Sequence, residues 1–330
     1  MKHFTHNDYP VKLHGLTKDF RRLPDGFHET LNHVAATLSS GFSAGGRVRF
    51  ATDSKSIEVS VSLCPYERLG IFTLSGQAGC AVYLNNRYTK TYSPENDGDT
   101  KYRFVIENNE GYSEITILLP IYTTVRSMDI AIEDNAEIRE AKDYKITKPV
   151  VFYGSSITNG VAASSPHNTF PERLSRKYGF DYYNYGFAGG CRGEVAVADH
   201  INKIDMTMLV YGYDHNASTA EELEERHQRF FKRIREVHPK LPVLILSKPD
   251  FANDPVNNAL RRDVIYHTYS EAQREGDENV YFFDGSYAYG NLSIRESTAD
   301  GIHPIDSTFE HFANILSPVF DLIFEKLEVK

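Results

Sequence analysis

Up to about residue 145, apolar side chains recur at every second position. In the stretch KSIEVSVSL, Ile57, Val59, Val61 and Leu63 share one face, while Glu58, Ser60 and Ser62 share the other. KYRFVIE sets Tyr102, Phe104 and Ile106 on one side, and SMDIAIED does the same with Met128, Ile130 and Ile132. A period of two marks strands with one buried face. Turn-forming clusters lie between them: Ala44-Gly45-Gly46, Asn85-Asn86, and the Pro94-to-Thr100 stretch with its Asp-Gly-Asp. Strands with no long amphipathic helix between them predict an all-β sandwich, jelly-roll-like, over residues 1–147. On this reading Arg47, Arg49 and Lys55 are solvated strand positions.

Past Lys148-Pro149 the pattern changes to continuous apolar runs: VVFY (150–153), YYNY (182–185), MTMLVY (206–211), PVLILS (242–247) and VYFF (280–283). Near-continuous apolar strands belong to a parallel sheet covered on both faces. Helical segments separate them. One starts at Ser218-Thr219, where Thr219 and Glu222 have capping-box spacing. Leu223, Phe230, Phe231, Ile234 and Val237 then fall on one helical face, and Pro239 stops the helix. A last helix, from about Asp306 to Lys326, is expected to be a packing element. Alternating β and α over residues 148–330 predict a doubly wound α/β domain.

Composition narrows the function classes. The chain has 330 residues and a formal charge of −9. No basic block stands out to neutralise a phosphate backbone, so nucleic acid is not an expected partner. No run of eighteen apolar residues and no apolar leader are present, so no membrane partner is expected and the location expected is cytoplasmic. Cys64, Cys80 and Cys191 are widely spaced, without a CxxC pair, and are read as reduced, mostly buried thiols. No HExxH or clustered ligand spacing occurs among the thirteen histidines. No metal or cofactor is expected. Nothing in the sequence sets the oligomeric state.

In an open parallel sheet, ligands bind outside the carboxyl ends of the strands, where strand order reverses. Four polar clusters follow the apolar runs: Gly154-Ser-Ser-Ile-Thr158, Asn184-Tyr-Gly-Phe-Ala-Gly-Gly190, Gly212-Tyr-Asp-His-Asn216, and Asp300-Gly-Ile-His303 near the C-terminus. Singly, each has a plain alternative as a turn or a helix cap. Together they supply complementary roles. A hydroxyl nucleophile needs an adjacent base such as a neutral imidazole, and that imidazole needs a partner on its other nitrogen. Asp300 can fold back over a glycine to reach His303 Nδ1. A glycine amide and an asparagine side chain suit an oxyanion.

These residues resemble the SGNH (GDSL-type) hydrolase family over roughly residues 148–330. Its first block, Gly-Asp-Ser-x-Thr, is similar to Gly154-Ser155-Ser156-Ile157-Thr158, which implies Ser156 as nucleophile and Ser155 where the family keeps an aspartate. The block Asn-x-Gly-x-x-Gly matches Asn184-Tyr-Gly186-Phe-Ala-Gly189 and implies the Gly189 amide as an oxyanion donor. Asp300-Gly-Ile-His303 matches the family's Asp-x-x-His, implying Asp300 and His303 as the rest of a triad. The family norm Gly-x-Asn-Asp is not kept: the asparagine stands two positions later, at Asn216. A branch with the form Asp-Tyr-Asp-His-Asn-Ala supports Asn216 as a donor beside the Ser156 amide. Asp214 then becomes a candidate to contact substrate, as do His215 and Glu194.

The resemblance implies a three-layer, flavodoxin-like domain with strand order 2-1-3-4-5, preceded in this branch by a β-sandwich. It implies a serine esterase, expected to deacetylate an acetylated carbohydrate or other small O-acyl ester. Acyl transfer, or hydrolysis of a lipid or thioester, would use the same residues. The alternative from another class is a catalytically silent carbohydrate-binding protein on this fold. With 21 tyrosines and no tryptophan, sugar-stacking platforms would fall to tyrosine or phenylalanine.

Overall fold

A computed structural model describes residues 1–24, 26–35, 41–290 and 293–329. Ten strands form the first domain: β1 (Lys2–Thr5), β2 (Lys12–His14), β3 (Arg47–Thr52), β4 (Ser56–Leu63), β5 (Cys80–Leu84), β6 (Arg87–Tyr92), β7 (Lys101–Glu107), β8 (Ser113–Leu118), β9 (Val125–Ile132) and β10 (Ile138–Arg139). They pair antiparallel into two sheets, β1-β9-β4-β7 and β10-β3-β8-β5-β6, with β2 against β3. The alternating residues read from the sequence form the core between the sheets: Ile57, Val59, Val61, Phe104, Ile106, Ile130 and Ile132 meet Val48, Phe50, Ile115 and Ile117. The domain is a β-sandwich. Asn85 and Asn86, both at positive φ, make the two-residue turn between β5 and β6 that twisted hairpins favour. A short helix, α1 (Leu74–Ala78), precedes β5.

The second domain is a five-stranded sheet in the order β12-β11-β13-β14-β15, with all four pairings parallel. Its strands are β11 (Ile146–Gly154), β12 (Phe180–Gly186), β13 (Met208–Gly212), β14 (Val243–Leu246) and β15 (Val280–Phe283). Helices α2 (Ser156–Asn159), α3 (Phe170–Tyr178), α4 (Val195–Ile201), α5 (Ala220–Val237), α6 (Pro255–Arg274), α7 (Ile294–Ser297) and α8 (Asp306–Lys326) connect and flank them. Apolar faces cover both sides of the sheet. Phe152, Met208 and Leu244 pack with Phe309, Leu316 and Phe320 of α8, while Tyr153, Leu209 and Ile245 pack with Leu223, Phe230 and Ile234 of α5. This is the 2-1-3-4-5 strand order that the resemblance implies, with β11 and β13 adjacent at the switch point. Val237, placed on the buried face of α5 by its spacing, is the helix's last residue and is 50% exposed.

The arginines of β3 correct the sequence reading. Lys55 is exposed, but Arg47 and Arg49 are buried. The face of β3 that alternation assigned to water is covered at Arg47 by the second domain and at Arg49 by the segment that leads to it. Arg47 stacks on Tyr182, 3.9 Å from its ring centre, and pairs with Asp181; Arg49 donates to the Lys142 carbonyl. Among the described residues no helix is long and apolar enough to cross a membrane. The three cysteines are free thiols.

Candidate active site

Three glycines in register end three adjacent strands: Gly154 of β11 pairs with Gly186 of β12 and with Gly212 of β13. Side chains would not fit there. A Cβ on Gly154 would lie 2.2 Å from Thr158 Oγ1, and one on Gly186 would lie 2.2 Å from the Asn159 amide. The close approach lets three loops leave the sheet at one level, and each carries a cluster singled out in the sequence.

The first loop turns directly into α2. Ser155 is its N-cap, accepting a hydrogen bond from the Ile157 amide at 3.2 Å, and Gly160 closes the helix in the left-handed conformation. Ser155 thus has a structural task, while Ser156 is the first helical residue, whose amide has no partner within the helix. Ser156 Oγ lies 2.9 Å from His303 Nε2. His303 Nδ1 lies 2.8 Å from Asp300 Oδ2, and the other Asp300 oxygen accepts from the His303 and Ile302 amides at 2.8 and 3.0 Å. Burial alone would raise the Asp300 carboxyl, but these bonds from His303 and Ile302 hold it below the usual carboxylate range. An ionised Asp300 fixes the proton on Nδ1 and leaves Nε2 as acceptor for the serine hydroxyl. The chain therefore brings Ser156, His303 and Asp300 into one hydrogen-bonded relay.

The second and third loops meet beside it. Phe187 O accepts from the Gly190 amide at 2.7 Å, a tight turn that sets Gly189 at a φ of +69°. Only a residue without Cβ takes that conformation readily. The same carbonyl accepts from Asn216 Nδ2 at 3.0 Å, so the asparagine side chain and the glycine loop are tied together. Asp214–Asn216 form one 3-10 turn, which is how an asparagine two residues beyond the family position reaches this place.

The other three candidates sit differently. Asp214 is buried and its carboxylate is engaged by Arg261 Nε at 2.7 Å and the Lys248 amide at 3.1 Å. Burial still pushes this carboxyl up, with Arg261 pulling against it. Glu194 binds the Tyr153 hydroxyl and the Arg192 amide, both at 3.0 Å, and Asn32. Both carboxylates therefore hold loops in place. His215 Nε2 lies 2.9 Å from Asp250 Oδ1 without hydrogen-bond alignment. Burial drives its pKa down to about 4 against the pull of Asp250, and His303 is among the nearby groups that add to the fall.

Sequence patterns gave no notice of two further residues. Asn159, fully buried at the end of α2, accepts from Arg22, a buried residue of the first domain, at 2.9 Å. The only local signal was an arginine pair set between apolar residues in Phe20-Arg-Arg-Leu-Pro24. Among the described residues no group of three or more His, Cys, Asp or Glu could hold a metal ion.

Comparison with known proteins bears on this geometry. Residues 147–321 match the model of the GDSL-like lipase/acylhydrolase family. The chain belongs to that family. It is an enzyme of the ester-bond hydrolase class. Residues 4–138 match a model described as the N-terminus of SGNH-hydrolase-type esterases. Among solved structures, a GDSL-like lipase from Bacteroides ovatus is 24% identical, with 98% of each chain covered and a TM-score of 0.87. The salicylyl-acyltransferase SsfX3 from a tetracycline biosynthetic pathway is 19% identical, covering 95% of this chain and 94% of its own, with a TM-score of 0.79. An acetyl xylan esterase, Est2A, from Butyrivibrio proteoclasticus is 12% identical over 100% of both chains, with a TM-score of 0.64. Among curated proteins no match is found. At these identities the solved structures speak for the fold.

Proposed function

We propose that this family member is a serine esterase that removes a short acyl group, acetyl above all, from a carbohydrate or another small O-acyl ester. The observation that carries the reading is the relay from Ser156 Oγ to His303 Nε2 at 2.9 Å and on from His303 Nδ1 to Asp300 at 2.8 Å. Ser156 attacks the ester carbonyl as its proton passes to His303. The imidazolium is stabilised by Asp300 and returns the proton to the leaving alkoxide. The Ser156 and Gly189 amides and the Asn216 side chain hold the oxyanion, each donor lowering the barrier by about 3 kcal/mol. Water, giving its proton to the same histidine, then attacks the acyl carbonyl; the Ser156 Oγ–acyl bond breaks, the acid leaves and the proton returns to Ser156. His215, buried and neutral at working pH, is the substrate-facing candidate beside His303.

The carbohydrate substrate is supported by likeness to an acetyl xylan esterase and to a family two carbohydrate esterase in complex with cellohexaose. A second reading, acyl transfer to a hydroxyl acceptor, is favoured by the higher TM-score with the salicylyl-acyltransferase. A panel of acetylated mono- and oligosaccharides and short p-nitrophenyl esters, with and without added alcohol acceptors, tests both. Acetate release from the sugars supports the first reading and ester formation on the acceptor supports the second. Turnover that persists in Ser156→Ala would overturn the site itself.

A further inference from the structure

Arg22, Asn32, Val34 and Ala35 of the first domain lie against the loop proposed to bind the oxyanion. Asn32 Nδ2 donates to the Gly190 carbonyl as well as to Glu194. A Cβ on Gly190 would lie 2.6 Å from Ala35 Cα, and one on Gly189 would lie 3.2 Å from Val34 Cγ1. Arg22 enters from the other side. A single nitrogen, Nη1, donates to Asn159 Oδ1 at 2.9 Å, to the Gly186 carbonyl, and more weakly to the Asn184 carbonyl at 3.4 Å.

We infer that Arg22 is a positioning residue for the oxyanion hole, so that the β-sandwich completes the active centre rather than merely preceding it. This rests on the Ser156 reading given above. The geometry makes one guanidinium the joint between two parts that must keep register. Asn159 ends the helix that starts at Ser156, and its own amide donates to the Ser155 carbonyl at 3.0 Å. Gly186 is where the oxyanion loop departs from β12. The Arg22 guanidinium carbon also lies 5.0 Å from the centre of the Phe187 ring. Phe187 O anchors the Asn216 amide at 3.0 Å, and Gly189 is two residues further on. A shift of Phe187 would therefore displace the backbone donor and the side-chain donor together.

Stability does not account for an arginine at this place. The side chain is 1% exposed, and no carboxylate is among the groups that support its charge. Its Nε and Nη2 find no acceptor among the described residues. Burial pulls the guanidinium down to about 9, so it stays protonated near neutrality. A buried charge without a counter-charge costs stability, and apolar side chains of similar volume often do as well or better.

The test compares Arg22→Met and Arg22→Lys with the wild type on p-nitrophenyl acetate, with rates expressed per site titrated to completion with a fluorophosphonate. Misfolded protein then drops out of the count. Arg22→Met is expected to lower kcat per titrated site by about tenfold to a hundredfold, the scale of losing or misplacing one oxyanion donor. KM should stay within about twofold, because the bonds at stake form with the transition state and not with the substrate. A trifluoromethyl ketone should lose affinity by the same factor as kcat/KM. Arg22→Lys keeps the charge but cannot span Asn159 and Gly186 at once, so it should recover only part of the rate. Wild-type kcat per titrated site in Arg22→Met overturns the inference; if that variant does not fold, wild-type kcat in Arg22→Lys overturns it. Ser156→Ala is run in parallel. Turnover in Ser156→Ala removes the reading of the site, whereas a dead Ser156→Ala beside a fully active Arg22→Met removes only the role of Arg22.

Discussion

Two arginines of the β-sandwich, Arg22 and Arg47, reach across to the same strand of the catalytic domain, and each is 1% exposed. Arg47 grips the start of β12: it pairs with Asp181 and donates to the Tyr182 carbonyl at 2.9 Å. Arg22 grips the end of β12 at Asn184 and Gly186. Burial would lower the Arg47 guanidinium, but Tyr144, Asp181 and other neighbours push it well up. Arg22 has no carboxylate beside it, and burial outweighs Cys191, Tyr122 and Tyr185 and pulls it down to about 9. Equal burial with opposite electrostatic support points to different tasks. The paired arginine docks the domains, and the unpaired one sits where the oxyanion loop leaves the sheet.

The largest stability effect should come from breaking the paired grip. Arg47→Met leaves Asp181 half-enclosed without its main counter-charge and should cost about 3 kcal/mol in urea unfolding, with kcat per titrated site unchanged. Arg22→Met should cost clearly less, since it strands no opposite charge. Equal losses of stability in the two variants would erase the distinction between the grips.

Acid should sharpen the same contrast. Burial alone would raise the Asp181 carboxyl from 3.8, yet Arg47 and His14 hold it at about 2. A depressed carboxyl contributes stability that is present above 3.8 and lost as pH falls toward 2. That acid step should be smaller in Arg47→Met and unaltered in Arg22→Met, read as urea midpoints against pH. At milder acidity the buried histidines act first. Burial lowers His167 and His215 to about 4 and His227 to about 3, so the unfolded chain takes up protons that the native state refuses. Stability should fall as pH drops from 6.5 toward 4. Glu172, raised by burial to about 6, works in the opposite sense between 4.5 and 6 and offsets part of that fall. His227→Gln should flatten the decline; an unchanged slope would mean that this histidine is not its source.

The smallest effect belongs to a position remote from both grips. Thr219 caps α5 by accepting from the Glu222 amide at 3.2 Å, and Thr219→Ala should cost about 1 kcal/mol without touching kcat.

The contrast also marks what the sequence could reveal. The parallel strands were legible because burial on both faces leaves continuous apolar runs, and strand order followed from the family resemblance. Ser156 was legible as a strand-end polar residue. Asp300 and His303 were legible by their Asp-x-x-His spacing, although that pair lies between α7 and α8 and not at a strand end. The structure joins the three by hydrogen bonds of 2.9 and 2.8 Å. Arg47 and Arg49 were misread because alternation reports which face a side chain takes, not what covers that face. The second domain covers it at Arg47, and the segment around Lys142 and Tyr144 covers it at Arg49. The structural bonds of Asp214 to Arg261 and of Glu194 to Asn32 run 47 and 162 residues along the chain and leave no local pattern. Arg22 lies in an irregular segment with no period to read, and its bonds run 137 to 164 residues down the chain.

The most direct measurement is the mass of the peptide labelled when the active enzyme is treated with a fluorophosphonate. The adduct is expected on Ser156, at a rate that collapses in His303→Gln. An adduct on another residue, or full esterase activity in enzyme that carries the label on Ser156, would contradict it.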